Sequence, residues 1–321
     1  MKTPRYWKTR NILSDILLPF GLLYALATRL RLKLRRPQKV NTPVICIGNL
    51  TAGGTGKTPV AISLARLLKK QGFNPFFITR GYGGKLQDVI VNPAQHTAAE
   101  VGDEPLLLAA AAPTVVNADR YKAALKAEYA GADIIIMDDG FQNPGLAKDL
   151  SFVVVDGGFG LGNRRPVPAG PLRENWHRGI KRTDAVIIIG KDNYNIAKLI
   201  YDKPLFGGKI VPLPPHSSAN RIIAFAGIGR PEKFYQSLRD LDMAPAETYD
   251  FPDHHRYTPA ELEKLIARGK ELNADIFTTS KDYVKIPLSL QKHFKVLQID
   301  IAWEDETMLS GFILNKISRR G

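Results

Sequence analysis

The segment Gly48-Asn49-Leu50-Thr51-Ala52-Gly53-Gly54-Thr55-Gly56-Lys57-Thr58 constrains this chain more than any other. It follows the apolar run 44–47 and precedes a helix-like stretch, 60–68. Strand, glycine-rich turn, Gly-Lys-Thr and helix is the arrangement of a phosphate-binding P-loop. Glycines let successive backbone N–H groups curl around phosphate oxygens, and the helix N-terminus adds a favourable dipole. Thr51, Ala52, Gly53, Gly54, Thr55, Gly56, Lys57 and Thr58 are therefore the expected nucleotide cradle. Lys57 is placed to reach the β- and γ-phosphates, and the Thr58 hydroxyl suits Mg²⁺, a hard cation that prefers oxygen. The first consensus position, usually glycine, is Thr51 here. The competing reading is a glycine-rich turn with an incidental lysine. Three glycines, Lys57 and Thr58 in register behind a strand favour the P-loop.

Beyond the P-loop the chain alternates. Apolar, β-rich runs recur at 44–47, 75–78, 114–116, 134–137, 152–155 and 185–189, with helical stretches between several of them. Near-continuous apolar strands alternating with helices predict a buried, mostly parallel α/β sheet covered on both faces. Pro212-Leu213-Pro214-Pro215 marks a break, after which a second, smaller α/β lobe is expected over 217–303. The expected organisation is an N-terminal segment over 1–40, a P-loop domain over 41–216, the small lobe, and a final helix within 304–321 that packs back on the first domain. The single cysteine, Cys46, excludes an internal disulfide and a multi-cysteine metal site, and its apolar surroundings suggest a buried structural thiol.

Net charge is +14. Such an excess suits nucleic acid, an anionic membrane surface or a phosphorylated substrate. Much of it lies in residues 1–40, where Lys2, Arg5, Lys8 and Arg10 precede an apolar run over 12–26. Arg29, Arg31, Lys33, Arg35, Arg36 and Lys39 follow, and Asp15 is the one acid. A cleaved signal peptide ending at Ala25-Leu26-Ala27 conflicts with a P-loop that needs cytosolic ATP. A full transmembrane span needs about 20 apolar residues and is weakened by Asp15 and Pro19. A helix lying on or dipping into a membrane, with basic residues on anionic headgroups, is the favoured reading. The plainer alternative is an amphipathic helix packed on the domain. Basic residues interleaved with leucines rather than stacking aromatics favour a membrane over nucleic acid.

Ile134-Ile135-Ile136-Met137-Asp138-Asp139 has the form of a Walker B strand, four apolar residues ending in carboxylates. Ligands in open α/β sheets bind beyond the carboxyl ends of strands, so Asp138 or Asp139 is expected to hold Mg²⁺, directly or through water. A strand-end turn at Asp139-Gly140 is the alternative. In Gly102-Asp103-Glu104-Pro105 the acids either favour a helix dipole or supply a general base, and both readings stand open. The segment 251–257 concentrates His254 and His255, two of six histidines, ahead of a Thr258–Glu261 capping box. Arg80, Arg120 and Arg173 follow strands or rigid loops and together suggest an anionic pocket. No Asn-Lys-x-Asp guanine signature is present, which points to ATP.

These motifs together resemble the tetraacyldisaccharide 4'-kinase family, the lipid A 4'-kinases of Gram-negative bacteria. The resemblance rests on residues 48–59, Arg80-Gly81-Tyr82-Gly83, Gly102-Asp103-Glu104-Pro105, Asp138-Asp139-Gly140-Phe141-Gln142, 168–174, Phe251-Pro252-Asp253-His254-His255 and Ser280-Lys281-Asp282. Ser280 departs from the Glu of many members. The resemblance implies transfer of the ATP γ-phosphoryl to the 4'-hydroxyl of an acylated glucosamine disaccharide 1-phosphate. It further implies peripheral or monotopic attachment to the cytoplasmic face of the bacterial inner membrane, and a second lobe that closes over nucleotide. Carried onto this chain, Asp103 is the base with His254 as partner, His255 remaining an alternative. Lys57, Thr58, Asp138 and Asp139 form the ATP/Mg²⁺ set, while Arg80, Arg120 and Arg173 meet substrate phosphate or transition-state charge. No nucleic acid and no protein partner are expected. The competing functions are a membrane-associated regulatory P-loop ATPase and a nucleic-acid-binding ATPase.

Overall fold

The apolar runs assemble into a sheet buried on both faces. The computed structural model describes residues 4–200, 202–215, 221–253 and 255–318. Strands β1 (Val44–Gly48), β2 (Pro75–Thr79), β3 (Val89–Ile90), β4 (Thr114–Val116), β5 (Ile134–Asp138), β6 (Leu150–Asp156), β7 (Ala185–Ile189) and β8 (Leu205–Pro212) build most of it. A second sheet takes β9 (Ile222–Ala226), β10 (Glu247–Asp250), β11 (Asp275–Thr279) and β12 (Lys295–Leu297), all parallel in the order β10-β9-β11-β12. The chain then returns, and β13 (Ile299–Trp303) completes a nine-stranded sheet ordered β13-β8-β7-β6-β1-β5-β2-β4-β3. Only the edge strands β13 and β3 run antiparallel to their neighbours.

Every residue of β1, β5 and β7 is buried, as a sheet covered on both faces requires. Side chains alternate between the two covers. In β1, Ile45 and Ile47 join Val60 and Leu64 of the helix Lys57–Lys70, while Val44 and Cys46 join Met137 and Val153. Each such aliphatic side chain stabilises the fold by about 1.5–3 kcal/mol relative to exposure. The helix Glu306–Ser318 packs on the first cover through Leu309 and Ile313, and its Phe312 lies against Phe152 and Phe206. The small sheet is covered by Phe234 and Leu238 of Pro231–Arg239 on one face and by Leu262 and Leu265 of Pro259–Leu272 on the other.

The run 295–299, inside the expected span of the small lobe, divides between the two sheets. β12 closes the second sheet, and β13 pairs with β8 from Ile299↔Pro212 to Trp303↔Gly208. The chain thus rejoins the first sheet at Ile299, ahead of the expected boundary at 303.

Near the N-terminus two helices, Ile12–Ile16 and Leu18–Leu34, replace the single expected one. Asn11 and Ser14 form a capping box on the first. Pro19 sits in the first turn of the second, where its missing N–H costs nothing. The longer helix has 17 residues, a length of roughly 25 Å at the standard rise per residue. No helix among the described residues is long and apolar enough to cross a membrane. Only Gly21 and Thr28 of this helix are buried, while Phe20, Leu22 and Leu23 are exposed.

Candidate active site

Strand order creates the site. β1 and β5 are adjacent and parallel, with Ile47 opposite Asp138, so the P-loop and the carboxylate pair leave the sheet side by side. Gly56 adopts φ +86°, a left-handed turn that a side chain would strain, and delivers the chain into the helix Lys57–Lys70. Gly56 has no side chain to cap that helix, so the first N–H groups face the loop, as an anion site needs. Thr51 occupies the usual glycine position without strain. It forms an extended bridge with Leu172, and neighbouring Ala52 N–H donates to the Pro171 carbonyl at 2.6 Å. The loop is braced from within by Asn49, whose Nδ2 donates to the Thr51 carbonyl (2.6 Å) and the Thr55 hydroxyl (3.2 Å).

The two carboxylates differ in environment. Asp138 is fully buried and accepts from the Thr58 hydroxyl at 3.2 Å. Burial, then the Glu104 charge, pushes its pKa up to about 7. Asp139 sits at φ +48°, in the left-handed region that Asp tolerates better than most residues. Its Oδ1 lies 2.9 Å from Arg173 Nη1 and 3.6 Å from Lys57 Nζ. Burial opposes ionisation there, but Lys57 and Arg173 outweigh it and hold the Asp139 carboxyl below its ordinary value. One buried carboxylate with a hydroxyl neighbour, beside a second, ionised carboxylate paired with Lys57 and Arg173, is a hard-oxygen set. It fits Mg²⁺, which commonly takes one or two carboxylates and completes its shell with phosphate oxygens and water. Among the described residues no cluster of three or more His, Cys, Asp or Glu side chains could hold a metal by itself.

The other predicted groups converge from neighbouring strands. Arg120 opens the helix Arg120–Tyr129 after β4 and is buried. Its Nη1 donates to the Asn117 carbonyl at 2.8 Å, whereas its Nε has no partner among the described residues. Burial lowers its pKa to about 10 against the pull of Asp139, and the exposed Arg80 adds to the lowering. Asp103 begins the helix Asp103–Ala109 and lies in its first turn; it is half-buried, and the next residue, Glu104, reaches Asp138 electrostatically. Gly102 precedes it at φ +95°, where a Cβ would come within 2.6 Å of the Tyr82 carbonyl. This close approach fits the helix start against the loop that carries Arg80.

His254 lies outside the described residues. Around it, the His255 N–H donates to the Pro252 carbonyl at 3.0 Å and closes a turn. The His255 ring stacks on Phe251, and its Nε2 lies 3.2 Å from both Glu261 oxygens. Thr258 and Glu261 form the expected capping box, and bonds from Thr258, then from His255, hold the Glu261 carboxyl down to about 2. His255 is thereby engaged in building the turn.

Sequence reasoning attached no role to three groups behind the site. Gln142 Nε2 donates to the Asn49 carbonyl (2.9 Å) and to Glu174 (3.0 Å), and Glu174 pairs with Arg182 at 2.5 Å. The Arg182 guanidinium lies 4.5 Å from the centre of the Phe141 ring. This network ties the segment after Asp139 to the root of the P-loop and to the residue after Arg173. The N-terminal segment is bonded to the same loops. Trp7 Nε1 donates to Pro168 O (3.0 Å), Arg165 pairs with Asp15 and donates to the Ser14 hydroxyl (2.9 Å), and Arg31 donates to the Gln142 carbonyl (3.1 Å). The exposed apolar helix therefore borders the loop that aims Arg173. Cys46, inside β1, is buried and its thiol is pushed up to about 11, chiefly by that burial.

Comparison with known proteins gives a consistent picture. The family profile described as Tetraacyldisaccharide-1-P 4'-kinase matches residues 13–318. The chain is 45% identical to a Rhodospirillum centenum protein named tetraacyldisaccharide 4'-kinase, over 99% of this chain and 97% of that one. A protein of the same name from Parvibaculum lavamentivorans is 50% identical over 89% of this chain and 87% of its own length. Among solved structures, the "apo" form of LpxK from Aquifex aeolicus in complex with ATP superposes with a TM-score of 0.78 at 29% identity, covering 95% of this chain and all of that one.

Proposed function

This chain belongs to the tetraacyldisaccharide-1-P 4'-kinase family and is an ATP-dependent kinase of lipid A biosynthesis; from that premise we propose how its residues carry the reaction. Lys57 and the P-loop N–H groups bind the phosphates of ATP. Thr58 and Asp138 would hold Mg²⁺, with Asp139 beside them kept ionised by Lys57 and Arg173. When bound, the metal supplies charge that offsets the negative phosphates. Asp103 accepts the proton of the acceptor's 4'-hydroxyl as its oxygen attacks the γ-phosphorus, and ADP departs. His254 orients Asp103, a reading supported by the engagement of its neighbour His255 with Glu261 and Phe251. Arg120, buried with no partner for its Nε–H among the described residues, and Arg173 face the anionic groups, with Arg80 at the rim. Phosphoryl transfer depends mainly on positioning and charge neutralisation, which such a set provides.

The observation that carries this reading is the contact of Thr58 with Asp138, and of Lys57 and Arg173 with Asp139, across two adjacent parallel strands. The acceptor is an acylated disaccharide 1-phosphate. Labelled γ-phosphate should pass from ATP to a tetraacyl disaccharide 1-phosphate in detergent micelles, with no comparable release of phosphate when the acceptor is omitted. Acceptor-independent ATP hydrolysis without lipid product would favour the regulatory ATPase, which family membership otherwise disfavours.

We further propose that the helices Ile12–Ile16 and Leu18–Leu34 lie in the inner-membrane interface on the cytoplasmic side. Ile12, Ile16, Phe20 and Leu23 are each more than half exposed, and a basic cluster follows them. Such a surface binds by apolar burial plus attraction to anionic headgroups. Its bonds to the 163–168 loop would bring the acyl region of a lipid acceptor close to Arg173. The double variant Phe20→Gln/Leu23→Gln should sediment with anionic vesicles at least about tenfold less strongly, since each side chain contributes about 1.5–3 kcal/mol when buried. Undiminished sedimentation would remove this helix from the membrane contact.

A further inference from the structure

The motif Ser280-Lys281-Asp282 has no part in the chemistry above, yet Asp282 stands where three segments meet. Its side chain is fully buried. Oδ2 accepts the Gly227 N–H at 3.0 Å and the Thr279 hydroxyl at 2.7 Å, and Oδ1 accepts Lys285 Nζ at 2.9 Å. Lys285 is itself only 6% exposed. Gly227 follows β9, and a Cβ there would lie 2.9 Å from the Tyr257 hydroxyl, 3.1 Å from Asp282 Oδ1 and 3.1 Å from the Pro252 carbonyl. Pro252 and Tyr257 therefore both approach closely the residue that Asp282 holds. Lys285 Nζ also lies 5.8 Å from the centre of the Tyr257 ring.

The same segment reaches the first lobe. The short helix Ser280–Tyr283 lies against the helix Asp103–Ala109. Val284, between Asp282 and Lys285 in position, packs on the cluster of Val101, Leu106 and Val116. One continuous strut thus runs from the helix that begins at Asp103 to Pro252 and Tyr257, on either side of His254 in sequence.

A buried ion pair is a weak source of stability, because desolvation of both charges opposes their attraction. What three donors on one carboxylate do supply is geometry. We propose that Asp282, held by Lys285, is a positioning residue that fixes Pro252 and Tyr257, which flank His254 in sequence, relative to the helix that begins at Asp103. The proposal rests on the reading of Asp103 and His254 as base and partner. Asp282 touches no reacting atom; it acts through that pair.

The test is kinetic. Asp282→Asn and the milder Thr279→Val, which removes one donor to the carboxylate, are each made in the native protein and in an Asp103→Ala background. Phosphoryl transfer to the acceptor lipid is measured per folded enzyme. Expected is a fall in kcat of about ten- to hundred-fold for Asp282→Asn and a smaller one for Thr279→Val, with the KM for ATP nearly unchanged, since small misplacements of reacting groups cost that much. In the Asp103→Ala background neither change should lower kcat further, because both act through the same group. Native kcat in the folded variants, or an equal proportional loss in both backgrounds, would overturn the proposal. Should Asp282→Asn not fold, the Thr279→Val comparison decides alone. Native turnover in Asp103→Ala by itself would instead show that the base assignment, and with it this proposal, is wrong. A collapse in Asp103→Ala with native Asp282→Asn and Thr279→Val would leave the base assignment standing and remove only the positioning role.

Discussion

Replacing Lys57 with alanine is expected to lower turnover by about 10²–10³-fold, the scale of a lost transition-state donor. Lys57 is the first residue of the helix that follows the P-loop, and its Nζ lies 3.6 Å from Asp139 Oδ1. Its charge is therefore already aimed at the ground that phosphate oxygens would share. Two effects combine on its removal. The transferring group loses a cation, and Asp139 loses one of the two cations that keep it ionised, leaving Arg173 at 2.9 Å. Folding should be little affected, because the helix is anchored by Val60, Ala61, Leu64 and Leu68 rather than by its first residue. The check is labelled γ-phosphoryl transfer at saturating ATP, with a melting curve alongside. Turnover close to native in a folded Lys57→Ala protein would remove the P-loop from the mechanism.

Much of the site was legible in the sequence because its chemistry is local there. The P-loop, the Asp138-Asp139 strand end and the strands Thr114–Val116 and Ala185–Ile189 are each short, continuous runs with one dominant signal. Other elements carry mixed signals. β8 went unread because Gly207, Gly208 and Lys209 interrupt its apolar pattern, yet it pairs with β7 on one side and β13 on the other. The division between β12 and β13 at Gln298 follows from which sheet has a free edge, a tertiary fact with no local mark. The break at Leu17 came one residue before the first turn of the next helix, where Pro19 is compatible with continuation. Long-range partnerships were the least legible. Arg173 reaching Asp139 and Gln142 joining Asn49 to Glu174 depend on the strand order, although the arginine and the glutamate were both visible as motif residues. The turn at 251–257 shows the reverse. Its Thr258–Glu261 cap was readable from spacing alone, whereas the contact of His255 with Glu261 was not.

Replacing Asp103 with alanine is expected to lower kcat for lipid phosphorylation by about 10²–10⁴-fold, the range attributed to a positioned general base, with little change in ATP affinity. The asymmetry is the informative part. Asp103 stands at the first position of Asp103–Ala109, a helix on the side of the site where Glu104 influences Asp138, whereas the nucleotide cradle is built from the loop between β1 and Lys57. A residue on that side can meet the acceptor hydroxyl without contributing to the binding of ATP. Its placement is also specified by backbone contacts that the substitution leaves intact. Gly102 remains against the Tyr82 carbonyl, and Leu106 and Leu108 remain buried, so the helix should hold its position with the carboxylate gone. ATP affinity measured by calorimetry and kcat measured by lipid transfer separate the possibilities. Loss of kcat with native affinity assigns Asp103 to the acceptor proton. Loss confined to affinity would instead place it among the nucleotide ligands, and the base would then have to be sought elsewhere, starting with Glu104, the next residue, whose charge already reaches Asp138.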